Sequence, residues 1–270
     1  MDIDKLTEIA KTIRRDIIKM TTEVNSGHPG GSLSAADIIA VLYFKVMRHD
    51  PKNPAWPDRD RFILSKGHAA PALYSALARS GYFAEEQLLT LRKFGSPLQG
   101  HPEMGRLPGV EASTGSLGQG LSIASGIALA GKIDNKDYHT YVMIGDGESE
   151  EGQIWEAAMS SAYYKLDNLT AFVDYNSLQL DGWIKDIMEL EPIVDKWKGF
   201  GWHVIEIDGH NIHQIIKATD EAKATQGRPT VIIARTVKGK GVSFMENNVE
   251  FHGMAATREQ MEVALKELGE

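Results

Sequence analysis

Between Asp4 and Val24 the apolar residues Leu6, Ile9, Ile13, Ile17, Met20 and Val24 recur three or four positions apart. That spacing lines one face of a helix and predicts an amphipathic helix over the segment. The Gly-rich stretch Asn25–Ser32 predicts a loop, Ser34–Met47 a second helix, and Asp50–Arg61, which holds three prolines, another loop. A short strand is expected at Arg61–Ser65. Helices are expected over Ala70–Ser80 and Ala84–Lys93, with Gly81 as the stop between them. Beyond residue 140 the pattern alternates. Thr140–Ile144, Leu169–Asp174, His203–Ile207 and Thr230–Arg235 are apolar runs of strand length. Glu151–Lys165, a short piece near Ile193–Gly199, Ile212–Thr225 and Arg258–Leu268 read as helices. Strands alternating with helices imply right-handed crossovers and a parallel sheet covered on both faces, an α/β fold. Such sheets take ligands at the carboxyl ends of their strands.

The 270 residues suffice for one large domain, expected to span 1–270. A net charge of -8 gives no general attraction for nucleic acid or an anionic membrane. Any phosphate must then be held locally, by backbone amides, a few His or Arg side chains, or a metal. The chain has no cysteine, which excludes disulfides, thiolate metal sites and cysteine nucleophiles. The start, MDIDKLTEIAKTIRRDI, lacks the apolar stretch of a signal peptide. The apolar run near Leu121–Ala130 is too short to cross a bilayer. We expect a soluble, cytoplasmic protein, and the ends MDIDKL and ALKELGE read as those of a natural chain.

Gly145-Asp146-Gly147 directly follows the expected strand at Thr140–Ile144. Its glycines permit a sharp turn and close approach of backbone to an anion, and Asp146 offers a hard oxygen ligand. The next strand runs into Asp174-Tyr175-Asn176, so Asn176 emerges at the same end of the sheet. Asp146, Asn176 and a nearby backbone carbonyl would make half a shell for magnesium, the other positions going to phosphate oxygens and water. Taken alone, Gly-Asp-Gly is better read as a turn; the placement of Asp146 and Asn176 at two successive strand ends favours the ligand reading. Four histidines also sit in loop contexts, each beside a glycine: His28 in SGHPGG, His68 in SKGHA, His101 in GHPE and His252 in FHG. Imidazole can donate to phosphate, shuttle protons or polarise a carbonyl. No HExxH spacing and no cysteine point to zinc.

Gly-Asp-Gly, 28 residues (Glu148–Tyr175) and then Asn resembles the cofactor motif of thiamine diphosphate enzymes. The segments SGHPGG, LSKGHAAPALY, GHPE, STGSLGQGLS, GDGESEEGQIWEA and FHG run in the order found in transketolases and cover Asn25 to His252. The resemblance implies a thiamine diphosphate-binding fold. It implies a divalent ion (Mg2+, or Ca2+ or Mn2+) on Asp146, Asn176 and the Leu178 carbonyl. His68, His252 and the Gly147 N–H would hold the diphosphate. Gly115, Ser116 and Leu117 would lie against the cofactor rings. His28, His101 and His252 would line the substrate channel as catalytic groups. Glu151 would be among the cofactor-binding residues, and Glu151 and Glu156 would mediate self-association through a carboxylate network, whereas Glu148 and Glu150 read as surface charges. Two positions depart from the family pattern: Tyr175 replaces an Asn, and Ser116 stands where many members have Pro.

The family's second domain, which binds the aminopyrimidine and supplies a glutamate to it, finds no match in this chain. The resemblance therefore implies the N-terminal subunit of a split transketolase, inactive until a C-terminal subunit with the pyrimidine-binding domain joins it, two of each. The complex would move a two-carbon ketol unit between sugar phosphates of the pentose phosphate pathway. The alternatives are a two-chain relative with another donor (a sulfosugar or an unusual pentose) and a non-catalytic thiamine diphosphate-binding protein. His28 and His101, which serve substrate rather than cofactor, speak against the last.

Overall fold

The computed structural model describes residues 2–270. Among them the helices are α1 (Ile3–Glu23), α2 (Pro29–Val41), α3 (Ala70–Ser80), α4 (Gln119–Ile133), α5 (Gly152–Tyr163), α6 (Ile184–Ile187), α7 (Ile193–Gly199), α8 (Ile212–Ala224) and α9 (Arg258–Glu267). The strands are β1 (Arg61–Leu64), β2 (Thr140–Gly145), β3 (Leu169–Tyr175), β4 (His203–Asp208) and β5 (Thr230–Arg235). They form one parallel sheet in the order β1-β2-β3-β5-β4. None of these helices is long and apolar enough to cross a membrane.

Side chains in a strand alternate between faces, and here the register turns that alternation into rows. Leu64, Met143, Phe172, Ile232 and Ile205 stand side by side on one face. They pack in a core shared with α1, α2, α3, α8 and α9. Ile144, Val173 and Ile233 form the next row on the opposite face, under α4, α5 and α7. Every residue of β2 and β3 is buried, as strands covered on both sides require. The crossover β2-α5-β3 steps one way along the sheet and β4-α8-β5 steps back. With right-handed connections, these opposite steps put α5 and α8 on opposite faces.

Two expectations are corrected. Residues 29–32 are not loop: α2 begins at Pro29, whose fixed φ suits the first helical position, with His28 as its N-cap. The helix then widens into a π-type turn at Leu42–Val46. Glycine at position 30 allows this packing, because a Cβ there would lie 2.8 Å from the Phe251 carbonyl oxygen. Nor is Ala84–Lys93 an α-helix. Glu85–Thr90 is a 3-10 segment, within and after which Leu88 and Leu91, three apart, are buried. Arg92 then turns left-handed at φ 57°.

Helix α4 starts against the end of β1, where an added Cβ on Gly120 would meet Ser65 Cα at 2.7 Å. Gly126, on the same helix, faces open space. Gly120→Ala should therefore destabilise the chain by about 1–3 kcal/mol, the steric conflict overriding the better helix propensity of Ala. Gly126→Ala should stabilise it by up to about 1 kcal/mol. Urea unfolding of both variants measures the contrast, and equal effects would contradict this packing.

Candidate active site

The carboxyl ends of β1, β2, β3 and β5 surround a cleft of about 250 Å3. The segment after β1 supplies Lys66 and His68; the one after β2, Asp146 and Gly147; the one after β3, Asn176 and Leu178. Lys238 follows β5, His28 and Gly31 come from the start of α2, and His252 from the turn Val249–His252. Complete small-molecule sites usually enclose roughly 300–1,000 Å3, so this cleft has the dimensions of part of a site.

Its floor is a buried charge cluster. The Lys66 ammonium pairs with the Asp174 carboxylate and donates to the Gly31 carbonyl at 2.8 Å. Asp174 also accepts from Ser34 Oγ at 2.6 Å and from Thr236 Oγ1. Burial pushes the Asp174 carboxyl up, but Lys66 and the hydroxyl donors outweigh it and hold the group below its ordinary value. Asp146 is in the opposite situation. Burial, then the nearby Asp174 charge, raise it from 3.8 to about 7, against the pull of the Gly147 and Ser177 N–H groups that donate to it. It is a carboxylate short of a cation.

The Lys238 ammonium lies beside these groups. It donates to the Leu178 carbonyl at 2.8 Å and contacts His252 Nδ1 at 2.7 Å. Burial lowers its pKa from 10.5 to about 8, with Asp146 acting in the other sense. A cation already rests on one of the three expected metal-ligating groups, and a second group, Asp146, wants one. The donor set, one carboxylate, one amide and one carbonyl, is hard oxygen throughout and fits a small divalent ion with phosphate completing its shell. Among the described residues no cluster of three His, Asp or Glu side chains competes for it.

The four histidines converge. Ring centroids of His28 lie 5.4 Å from His68, 6.2 Å from His101 and 5.7 Å from His252, and His68 lies 5.2 Å from His252. Burial, then Arg92, takes His28 down to about 4; burial, then Lys238, takes His252 down to about 3. His68 falls well below its ordinary value through burial and Lys66, and His101 is lowered by burial and Arg92. Near neutral pH these rings are uncharged, each with one N–H donor and one lone pair. His252 accepts from Lys238 through Nδ1, which leaves Nε2–H to donate into the cleft.

The other expected residues distribute unevenly. Gly115 and Leu117 line the cleft, while Ser116 is exposed beside it. His101 sits at the rim, against Gly115, where a Cβ would come within 3.0 Å of its ring. The Gly147 N–H is engaged by its neighbour Asp146 at 2.8 Å. Glu151 and Glu156 are exposed on this chain and do not enter the cleft. Glu148 is a correction. It is 3% exposed, not a surface charge. Its carboxylate accepts from Ser65 Oγ, from Gly118 N–H at 2.9 Å and from Gly145 N–H at 3.0 Å. One side chain thus ties the ends of β1 and β2 to the loop before α4, and burial raises its pKa.

Sequence reasoning also missed Lys66, Lys238 and Arg92. The signal for Lys238 was present: a lysine followed by glycine, just beyond the apolar run of β5. Arg92 reaches Ser26 Oγ at 3.1 Å and His28 Nδ1 at 3.4 Å, which sets a guanidinium beside the rim histidines.

Comparison with known proteins adds the family context. The family described as "Transketolase, thiamine diphosphate binding domain" matches residues 5–270. The chain is 50% identical over 259 residues to a 6-deoxy-6-sulfo-D-fructose transketolase subunit of a Clostridium species, covering 96% of this chain and 94% of the relative. It is 43% identical over 270 residues to an apulose-4-phosphate transketolase subunit from Phocaeicola vulgatus, covering 100% of this chain and 96% of the relative. A crystal structure of a Campylobacter jejuni transketolase superposes with a TM-score of 0.95 at 37% identity, covering all of this chain but 43% of that one.

The carboxylate of Asp146 sets a pH test. The folded chain keeps its proton to about pH 7, whereas the reference value is 3.8. Over that window the folded state binds more protons, so its contribution to stability falls as pH rises. In EDTA, the wild-type chain should lose thermal stability relative to Asp146→Asn between pH 4 and about pH 7. Added Mg2+ with pyrophosphate should restore it to wild type alone. Parallel pH profiles of the two proteins would refute this assignment.

Proposed function

The chain belongs to the transketolase thiamine diphosphate-binding family, and from that premise we propose that it is the diphosphate-binding subunit of a two-chain transketolase. In this reading residues 1–270 form one domain that works in the cytoplasm with a C-terminal subunit carrying the pyrimidine-binding domain, two copies of each. The observation that carries the reading is the juxtaposition in one cleft of a hard-oxygen cation pocket, two buried lysines and three neutral histidines, with His101 at the rim. The first group serves a metal-bound diphosphate, and the rim histidines serve a polyhydroxylated substrate. Relatives of the same length named as transketolase subunits support a partner chain.

Asp146, Asn176 and the Leu178 carbonyl would hold magnesium; His68, His252, Lys238 and Gly147 would face the diphosphate. When bound, the cofactor supplies the carbon nucleophile and the electron sink. The chain's own work is to orient and to move protons. Neutral His28 and His101 can take a proton from a substrate hydroxyl through the lone pair, or donate N–H to a carbonyl oxygen whose charge is growing. Their lowered pKa values leave the lone pair free at neutral pH while reducing its basicity.

Self-association is proposed on the α4–α5 face. Glu156, Met159 and Tyr163 recur on one side of α5, with Met159 60% and Tyr163 78% exposed, and Ile123 of α4 is exposed as well. An apolar stripe of this kind, rimmed by carboxylates, suits burial against a second copy.

Two donors fit this site. Ketol transfer from a ketose phosphate is the family reaction, and the 50% identity to the sulfofructose transketolase relative favours a sulfosugar as a second donor reading. Mixing the chain with its C-terminal partner, cofactor and Mg2+ tests both, with xylulose 5-phosphate or 6-deoxy-6-sulfofructose as donor and an aldose phosphate as acceptor. Transfer from either donor supports the two-chain transketolase and identifies the reading; no transfer from any ketose overturns it. In the active complex His101→Ala should lower kcat/KM by about 10²–10⁴-fold with cofactor affinity nearly unchanged. His68→Ala should chiefly weaken cofactor binding, seen by titrating cofactor against activity. Sedimentation of Tyr163→Asp should show a shift toward smaller assemblies.

A further inference from the structure

Lys238 occupies the place of a cation. Its side chain is 2% exposed, so the ammonium finds its partners in protein groups rather than water. Those partners are the Leu178 carbonyl at 2.8 Å and His252 Nδ1 at 2.7 Å. The carbonyl is one of the three groups assigned above to the metal, and Asp146 and Asn176 line the same cleft. An ammonium and a divalent ion cannot share one carbonyl oxygen in a dry site without strong repulsion.

We propose that Lys238 is a built-in counter-ion that keeps bare metal out of the site and yields the Leu178 carbonyl only when a diphosphate arrives to receive its charge. The proposal rests on the metal reading of Asp146, Asn176 and Leu178, and it adds a linkage to that reading: metal and diphosphate bind as a pair.

The backbone around Lys238 is fixed, which confines the exchange to the side chain. Val237 N–H donates to His210 Nε2 at 2.8 Å, and His210 Nδ1 contacts the Asp37 carboxylate at 2.7 Å. Asp37 is itself paired with Arg14. On the other side Gly239 N–H donates to the Gly30 carbonyl at 3.0 Å, and the Lys238 carbonyl accepts from Asn247 N–H at 2.9 Å. The stem runs along Gly30, where a Cβ would lie 3.2 Å from Lys238 Cγ. Metal entering alone must drive the ammonium off its carbonyl with no anion to take it. Metal entering with a diphosphate exchanges one partner of the ammonium for another. Each ligand therefore raises the affinity for the other by the same factor.

The test uses the full chain, Mn2+ followed by electron paramagnetic resonance, and inorganic pyrophosphate followed by 31P NMR in EDTA. Lys238→Met should bind Mn2+ without pyrophosphate about tenfold or more tightly than wild type. The same variant should bind pyrophosphate without metal more weakly. Opposite signs distinguish an exchanging counter-ion from a structural prop, whose loss would weaken both. Lys238→Gln should repeat the pattern and provides a second folded variant. Equal Mn2+ affinity in wild type and both variants, while Asp146→Asn abolishes Mn2+ binding, overturns the counter-ion role and leaves the metal reading intact. Mn2+ binding that is indifferent to Asp146→Asn overturns both.

Discussion

The buried pair of Lys66 and Asp174 fixes how the segment after β1 and the start of α2 sit against the end of β3. Asp174 lies near the end of β3, and its carboxylate gathers three partners: Lys66 just past β1, Ser34 on α2 and Thr236 just past β5. Lys66 also reaches the Gly31 carbonyl and so anchors the first turn of α2, the segment that presents His28. Breaking a buried pair by deleting one partner typically costs about 3–5 kcal/mol, because the survivor is left charged and dry. Pairs of this kind add less to stability than they take away when broken. Their effect is on position, and here they set the spacing of the strand ends around the cleft.

A second consequence is electrostatic. With its charge satisfied by Lys66, Asp174 stays ionised, and its field raises the neighbouring Asp146. The cleft thus holds two aspartates of opposite condition, one neutralised by a fixed lysine and one awaiting a cation. Glu148 plays a comparable mechanical part on the other side, where its carboxylate serves three donors from three segments. The histidines, in contrast, are kept uncharged by burial and by the lysines and Arg92 around them. An overall acidic protein can then present donors to a phosphate without a standing excess of positive charge.

Most of the fold was legible because its strands are long apolar runs separated by amphipathic helices, and both patterns are local. The expected bounds of β2, β3, β4 and β5 agree with the structure to within a residue. The misses came where tertiary contacts decide. Glycine at 30 and 31 argues locally for loop, but here the glycines serve a helix packed so closely that a Cβ would crowd the Phe251 carbonyl and the His68 ring. The Ala84–Lys93 segment has helix-forming residues, yet only Leu88 and Leu91 bury, and a 3-10 segment is enough to do it. At the site, Asp146 and the histidines were visible through adjacent glycines, and Asn176 through its place at the end of an apolar strand. Lys66 and Glu148 were not, because a charged residue in sequence gives no sign of being buried until its partners, up to 108 positions away, are known; Lys238 left only the trace of a lysine before a glycine past β5.

The sheet has two outer strands among the described residues, β1 and β4. An outer strand offers a row of unpaired N–H and C=O groups on which a foreign strand can grow. Here β1 is four residues long, and β4 carries Glu206 and Asp208 exposed, with Glu206 tied to Arg235 at 3.1 Å. Brevity on one side and carboxylates on the other discourage edge-to-edge growth of the sheet.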